Sequence, residues 1–241
     1  MVEKNCSESF NGGLSPSGQR LAVVIPALNE GQNIEAVLTE VSKYGFAIVV
    51  DDGSVDDTAM RARRAGAFVI SHPINKGYNS ALETGIRTAI DLGYEFAVTM
   101  DADGQHNPSL LNFFEAEFKS GADLVVGVRE SVQRWSEWVF GYFAGLLWGV
   151  YDPLCGMKGY RLQVLREIKN LSTYDSIGTE LIIRAVKSGM KVRQVKVKTR
   201  PREGISRFGG GIRVNIRIIK ALYLGIFYAK ALTHQVPSHQ L

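Results

Sequence analysis

Leu21-Ala-Val-Val-Ile-Pro26 is an apolar run stopped by proline, and Gln32 to Tyr44 follows with apolar residues at helical spacing: Ile34, Val37, Leu38 and Val41. A strand leads into a helix. The pairing recurs with Ala47-Ile-Val-Val50 before Asp56 to Arg64, Phe68-Val-Ile70 before Asn79 to Leu92, and Phe96 to Met100 before Pro108 to Phe118. Strand–helix units in series predict a mostly parallel sheet with helices on both faces, an α/β, Rossmann-like domain. Ligands of such sheets lie beyond the carboxyl ends of the strands. The polar clusters Pro26 to Glu30, Asp51 to Ser54 and Asp101 to Gln105 fall at those ends, so they are predicted to share one crevice.

Downstream the pattern loosens. A strand is predicted over Asp123 to Val128, then an apolar segment from Trp135 to Tyr151, then a loop through Asp152-Pro-Leu-Cys-Gly-Met-Lys-Gly-Tyr-Arg161. Leu162 to Lys169 and Thr179 to Lys187 carry helical spacing, and Lys191 to Lys198 alternates valines with basic residues as a strand does. Within Trp135 to Tyr151, Gly141, Gly145 and Gly149 recur every four residues and form a small-residue stripe that permits close helix contact. Ile212 to Lys230 sets Ile212, Ile216, Ile219, Tyr223 and Ile226 on one helical face and Arg213, Arg217 and Lys220 on another. That profile fits an interfacial helix on anionic lipid and equally an amphipathic helix packed on its own domain. The expected organisation is a flexible tail over 1–20, one domain over 21–210, and an amphipathic helix with a polar tail over 211–241.

The 241 residues, 45% of them hydrophobic and 22% charged, suffice for one substantial core and exclude a mostly disordered chain. A net charge of +4 fits a phosphate-bearing ligand or an anionic membrane surface. No zinc-finger spacing or RNA-binding aromatic signature occurs, so no nucleic-acid partner is expected. Two cysteines, Cys6 and Cys155, make no disulfide framework and point to a reducing compartment. Residues 1–18 lack the apolar core of a signal peptide, and no apolar run reaches the roughly 18 residues a bilayer span needs. Gly-x-Gly-x-x-Gly after the first strand and the Walker A loop are both missing, which argues against a dehydrogenase or a P-loop NTPase.

The chemistry concentrates in Val98-Thr-Met-Asp-Ala-Asp-Gly-Gln-His106. If strand geometry persists past Met100, Asp101 and Asp103 project the same way with Ala102 opposite. Two such carboxylates can share a hard divalent cation that completes its shell with water and substrate phosphates. A solvated turn after a strand is the plainer reading, since Asp and Gly are ordinary turn residues.

Taken in order, Ile25-Pro-Ala-Leu-Asn-Glu30, Val50-Asp-Asp-Gly-Ser54, Asn75-Lys-Gly77, Asp101-Ala-Asp-Gly-Gln105, Asp152-Pro-Leu-Cys-Gly156 and Arg202-Glu-Gly-Ile-Ser206 resemble a family 2 glycosyltransferase of the GT-A fold. Within it they are similar to the polyprenyl-phosphate, dolichol-phosphate mannose synthase-like branch, over roughly Leu21 to Arg207. The resemblance implies a nucleoside diphosphate sugar donor and Mg²⁺ or Mn²⁺. Pro26, Leu28, Glu30 and Val50 match the nucleotide-side loops, and Asp52 matches the acid that bonds the base. Asp101, Ala102, Asp103 and Gln105 match the metal and diphosphate site, with Asp101, Asp103 and Gln105 as ligands. His106 is a weaker ligand candidate because hard ions prefer oxygen. Arg129 falls where the family sets an arginine toward the phosphates. Arg202 and Arg207 sit in the loop that closes over the donor, although Pro201 stands where relatives carry an arginine, between Arg200 and Arg202. Tyr78-Asn79 replaces residues that are commonly small or basic.

The implied reaction is an inverting single displacement. A polyprenyl phosphate is already anionic and needs no strong base, whereas a glycan or soluble hydroxyl needs a carboxylate, for which Asp152 and then Glu180 are the candidates. The aromatic density of Trp135 to Tyr151 favours a lipid acceptor and peripheral contact at the cytoplasmic face of a membrane. A homodimer or a separate membrane-spanning partner stays open, as does a non-catalytic nucleotide-sugar-binding scaffold.

Overall fold

The computed structural model describes residues 20–132, 134–168, 171, 176–200 and 212–232. In chain order they form β1 (Leu21–Ala27), α1 (Ile34–Val41), β2 (Phe46–Asp51), α2 (Thr58–Arg64), β3 (Phe68–Ser71), α3 (Tyr78–Asp91), β4 (Phe96–Thr99), α4 (Leu111–Lys119), β5 (Leu124–Arg129), α5 (Trp135–Trp148), β6 (Lys158–Arg161), α6 (Ile177–Lys187), β7 (Val192–Val197) and α7 (Ile212–Leu232). One seven-stranded sheet runs β3-β2-β1-β4-β6-β5-β7. Every pairing is parallel except those of β6, which is antiparallel to both β4 and β5. This is the α/β, mostly parallel GT-A-type sheet that the strand–helix repeats predict.

β1 shows why its sequence is continuously apolar. Side chains alternate across a strand, so Leu21, Val23 and Ile25 pack under α1 and α4 while Ala22 and Val24 pack under α3 and α6. Both faces are covered. On the α3 side Gly85 makes the contact tight: a Cβ there would lie 2.3 Å from a Val24 methyl.

Two expectations need correction. Lys158–Arg161, expected within a loop, is the interior strand β6, between β4 and β5. Its residues carry no β-branched or alternating signal, and its place depends on tertiary packing: a Cβ on Gly159 would lie 2.7 Å from the Phe118 ring and 2.9 Å from that of Phe114. Leu162 to Lys169, expected as a helix, forms only a 3₁₀ turn over Leu162–Leu165, with Lys169 outside the described residues. Leu162 and Leu165 are both buried, and an i, i+3 pair serves one 3₁₀ turn as well as an α-helix.

The glycine stripe of α5 also serves a different purpose. Gly149 is the left-handed C-cap that ends the helix (φ 70°). A Cβ on Gly141 would lie 2.5 Å from the Tyr151 carbonyl oxygen, and one on Gly145 would lie 3.0 Å from the Tyr151 ring. The small residues seat the returning chain rather than a second helix.

α7 packs on its own domain through Ile218, Leu222 and Ile226, which join Phe140, Ala144 and Trp148 of α5 and Ile183 of α6. Ser136 Oγ donates to Asn215 Oδ1 at 2.5 Å, and Arg184 Nε to the Tyr228 hydroxyl at 2.6 Å. The expected row is only partly inward: Ile226 joins the core, whereas Ile216 and Tyr223 are exposed, beside Phe227, Arg217 and Lys220. The inward residues recur every four positions as Val214, Ile218, Leu222 and Ile226. No helix among the described residues is long and apolar enough to cross a membrane.

Candidate active site

The loops leaving β1, β2 and β4 meet at the carboxyl edge of the sheet, and the first two are laced together. Asn29 holds a left-handed backbone (φ 52°), a conformation Asn tolerates better than most residues. Its N–H donates to Ser54 Oγ at 2.9 Å, and its Oδ1 accepts from the N–H of Val55 at 2.9 Å. Glu30 is buried and accepts from Asn33 Nδ2 at 3.1 Å. Asp52 is buried as well. Its Oδ1 lies 2.7 Å from His72 Nδ1 and accepts from the N–H of Lys76 at 2.9 Å, while Oδ2 accepts from the N–H of Gly77 at 2.8 Å. His72 Nε2 in turn reaches Thr84 Oγ1 at 3.0 Å. The acid expected at the base thus also anchors the Asn75-Lys-Gly77 turn. Pro26, Val50 and Ala102 are buried in the core, so what they present to a ligand is main chain. Leu28 is partly exposed at the rim.

Strand geometry does not persist past Met100: β4 ends at Thr99, and Ala102, Asp103 and Gly104 form a turn with Gly104 at φ 74°. Ala102 still points into the core. Asp101 Oδ1 accepts from the Tyr78 hydroxyl at 3.1 Å, and burial together with the Asp101 charge pushes that phenol well above its usual range. Asp103 Oδ1 accepts from the N–H of Gln105 at 3.1 Å. The Gln105 carbonyl accepts from the N–H of Arg200 at 2.8 Å, and His106 bridges Thr199, so the acid loop is clipped to the chain leaving β7. Arg202 and Arg207 lie outside the described residues.

Gly156 holds Asp101 from below. A Cβ there would stand 2.2 Å from Asp101 Oδ2, so Gly156→Ala is expected to displace the carboxylate and lower turnover by about 10²-fold. Steady-state assays paired with thermal melts would show a kinetic loss without comparable unfolding.

On the other flank, Arg129 ends β5 and grips Asp152: Nε to Oδ2 at 2.7 Å, Nη2 to Oδ1 at 2.9 Å, and its own N–H to Oδ2 at 3.0 Å. Glu137 of α5 lies 3.3 Å from Arg129 and 2.8 Å from Arg134. Burial pulls the Arg129 guanidinium toward neutrality, but Asp152 and Glu137 outweigh it and hold the pKa above the ordinary value. Lys158 is buried underneath, its pKa lowered by burial, and its Nζ donates to the Cys155 carbonyl. Burial pushes the Cys155 thiol up to about 11, so it stays protonated. Glu180, the second base candidate, is fully buried in α6 and out of reach of a substrate.

The sequence singled out Asp101, Asp103, Arg129 and Asp152 but missed Tyr78, Gly156, Glu137 and His72. Tyr78-Asn79 was visible as a departure, and both halves now have a contact: Tyr78 bonds Asp101, and Asn79 Oδ1 accepts from the N–H of Ile177 at the start of α6 at 3.2 Å. Among the described residues no three His, Cys, Asp or Glu side chains stand together as a ready-made metal cluster. A cation would rest on Asp101, Asp103, Gln105 and the ligand's own phosphates, a hard oxygen set suited to Mg²⁺ or Mn²⁺. Among the described residues His106 is buried beside Asp101 with neither ring nitrogen hydrogen-bonded.

The chain is 32% identical over 225 residues to the polyprenol monophosphomannose synthase of Mycolicibacterium smegmatis, covering 83% of each. It is 28% identical to the undecaprenyl-phosphate mannosyltransferase of Micrococcus luteus, covering 80% of this chain and 89% of that one. Among solved structures, glucosyl-3-phosphoglycerate synthase from Mycobacterium tuberculosis in complex with Mn²⁺, UDP and glucosyl-3-phosphoglycerate superposes with a TM-score of 0.70 at 22% identity, over 92% of this chain and 82% of that one. That likeness establishes the GT-A-type fold. Residues 22–168, which carry both acid loops, Arg129 and Asp152, match the family model described as glycosyl transferase family 2, and the chain belongs to that family of glycosyltransferases.

Proposed function

We propose that this glycosyltransferase moves a sugar from a nucleoside diphosphate donor to a polyprenyl phosphate, inverting the anomeric carbon, at the cytoplasmic face of a membrane. The observation that carries the acceptor is the state of Asp152. Its two oxygens accept three hydrogen bonds from Arg129, so the carboxylate placed to serve as a base is committed to a guanidinium. A hydroxyl acceptor would need that base, whereas a phosphate monoester attacks as an anion. Relatives whose names specify polyprenol and undecaprenyl phosphate support the same class.

In this reading the lacing of the Asn29, Asp52 and Gly77 loops holds the nucleoside end. Asp101, Asp103 and Gln105 would hold Mg²⁺ or Mn²⁺, which neutralises charge on the departing diphosphate. Arg129, fixed in orientation by Asp152 and Glu137, presents its remaining guanidinium edge to phosphate oxygens. Catalysis then consists of positioning and charge compensation.

Beyond Glu137 the site opens onto the outer face of α5. Trp138, Tyr142, Leu146 and Tyr151 are exposed and, with Val132 and Gly145, border a groove of ≈ 530 Å³. Aromatic side chains favour the headgroup level. Trp138→Glu is expected to weaken sedimentation with anionic vesicles by about tenfold or more, from the lost burial of one large apolar side chain. Because Trp138 is 64% exposed, the melting temperature should hold.

The deciding experiment supplies radiolabelled UDP- and GDP-sugars, Mn²⁺ and a short polyprenyl phosphate in detergent. Label entering the organic phase only when the lipid is present supports the reading. Nucleotide release with all label left in water rejects the lipid acceptor.

A further inference from the structure

Asp52 sits at the nucleoside end of the crevice with most of its hydrogen-bonding capacity already taken. An ionised carboxylate offers about four acceptor positions, two on each oxygen. Oδ1 takes His72 Nδ1 at 2.7 Å and the N–H of Lys76 at 2.9 Å, while Oδ2 takes the N–H of Gly77 at 2.8 Å. Oδ1 is thereby filled, and the position left over is on Oδ2.

His72 is the side chain that completes Oδ1, and it is held there. A carboxylate only accepts, so Nδ1 carries the hydrogen of that contact, and Nε2 is braced from the far side by Thr84 Oγ1 at 3.0 Å. The histidine is 7% exposed and the acid 4%. Nor is Asp52 free to swing its other edge outward. Gly53 packs on the turn that supplies the two N–H donors so closely that a Cβ there would lie 2.7 Å from the Asn75 nitrogen.

Nucleobases ask different things of such an acid. Guanine presents two adjacent donors, the imino N1–H and the amino N2–H, which match a carboxylate with both oxygens free in a side-by-side pair of bonds. Uracil presents a single imino N–H between two carbonyls. Cytosine has an acceptor at that ring nitrogen, which a carboxylate repels. With Oδ1 filled, Asp52 can satisfy the one donor of uracil but leaves the guanine amino group without a partner, and an unpaired polar group is what makes polar discrimination steep.

We infer that His72 selects the base of the donor: by occupying Oδ1 of Asp52 it restricts the site to uracil, so the sugar arrives on UDP. The inference rests on the proposed transferase reading, in which the loop of Asp52 holds the nucleoside, and deepens it by naming that nucleoside. His72 acts through Asp52 as a positioning residue and needs no contact of its own with the ligand.

Calorimetric titration of the full chain with UDP, GDP, IDP and CDP in the presence of Mn²⁺ tests it. UDP is expected to bind about tenfold or more tighter than GDP or CDP, the scale of one hydrogen bond to a charged acceptor. IDP, which is GDP without the amino group, is expected to bind tighter than GDP, the reverse of a site built for guanine. His72→Phe vacates a position on Oδ1, so GDP should overtake IDP and the preference for UDP over GDP should shrink by about tenfold. His72→Asn, whose amide nitrogen stands where Nδ1 does, should restore the wild-type order. A wild-type chain for which GDP or CDP matches UDP, or GDP matches IDP, overturns the inference and leaves the transferase reading standing, whether or not the Phe variant folds. So does a folded His72→Phe variant that weakens all four nucleotides equally or keeps the wild-type preference. A wild-type chain that binds none of the four overturns both.

Discussion

Asp103→Asn is expected to lower turnover by about 10²–10³-fold, the scale set by removing one electrostatic contact to developing charge, while the melting temperature moves by only a few degrees. Asn is nearly isosteric, and its amide oxygen can still accept from the N–H of Gln105 as Asp103 Oδ1 does at 3.1 Å. The turn of the acid loop therefore survives. What disappears is a largely buried negative charge, 8% exposed, in the loop proposed to hold the cation. Donor-dependent nucleotide release against Mn²⁺ concentration measures the loss, and circular dichroism checks the fold. A variant with an unchanged rate would reject the metal role of this loop.

The second large effect concerns stability. Arg129→Ala is expected to cost about 3–5 kcal/mol in urea unfolding, the range for breaking a buried ion pair from one side. The guanidinium is shared: its loss strands Asp152, whose side chain is 6% exposed, and removes one of the cations facing Glu137, whose side chain is 5% exposed. Asp152→Ala should cost less, because Arg129 keeps Glu137. Equal deficits for the two variants would show that the network is not shared as described.

The sequence reading succeeded wherever a single segment carries its own signal. β1 through α4 announce themselves by apolar runs followed by helical spacing, and Asp101 and Asp103 by two acids at the end of such a run. It failed where meaning comes from a distant partner. β6 has the composition of a loop and becomes a strand because Phe114 and Phe118 close over Gly159. Arg129 and Asp152 were both identified, yet nothing local says that they bind each other across 23 positions. Glu137 was within reach: a lone acid in an otherwise apolar stretch requires a cationic partner. On α7 the sequence reading named one apolar row, and only the packing of Phe140, Trp148 and Ile183 decides which residues turn inward.

The reversed direction of β6 has a consequence for how this enzyme can change. Lys158 pairs with Thr99 at the end of β4 and with Val126 in β5, so the residues just before it travel along the mouth of the crevice. That short approach supplies Asp152 to one flank and Gly156 to the other. Altering the length of the stretch from Asp152 to Gly156 would thus disturb the Arg129 ion pair and the Asp101 carboxylate at once, whereas the exposed side of α5 can be remodelled without touching either.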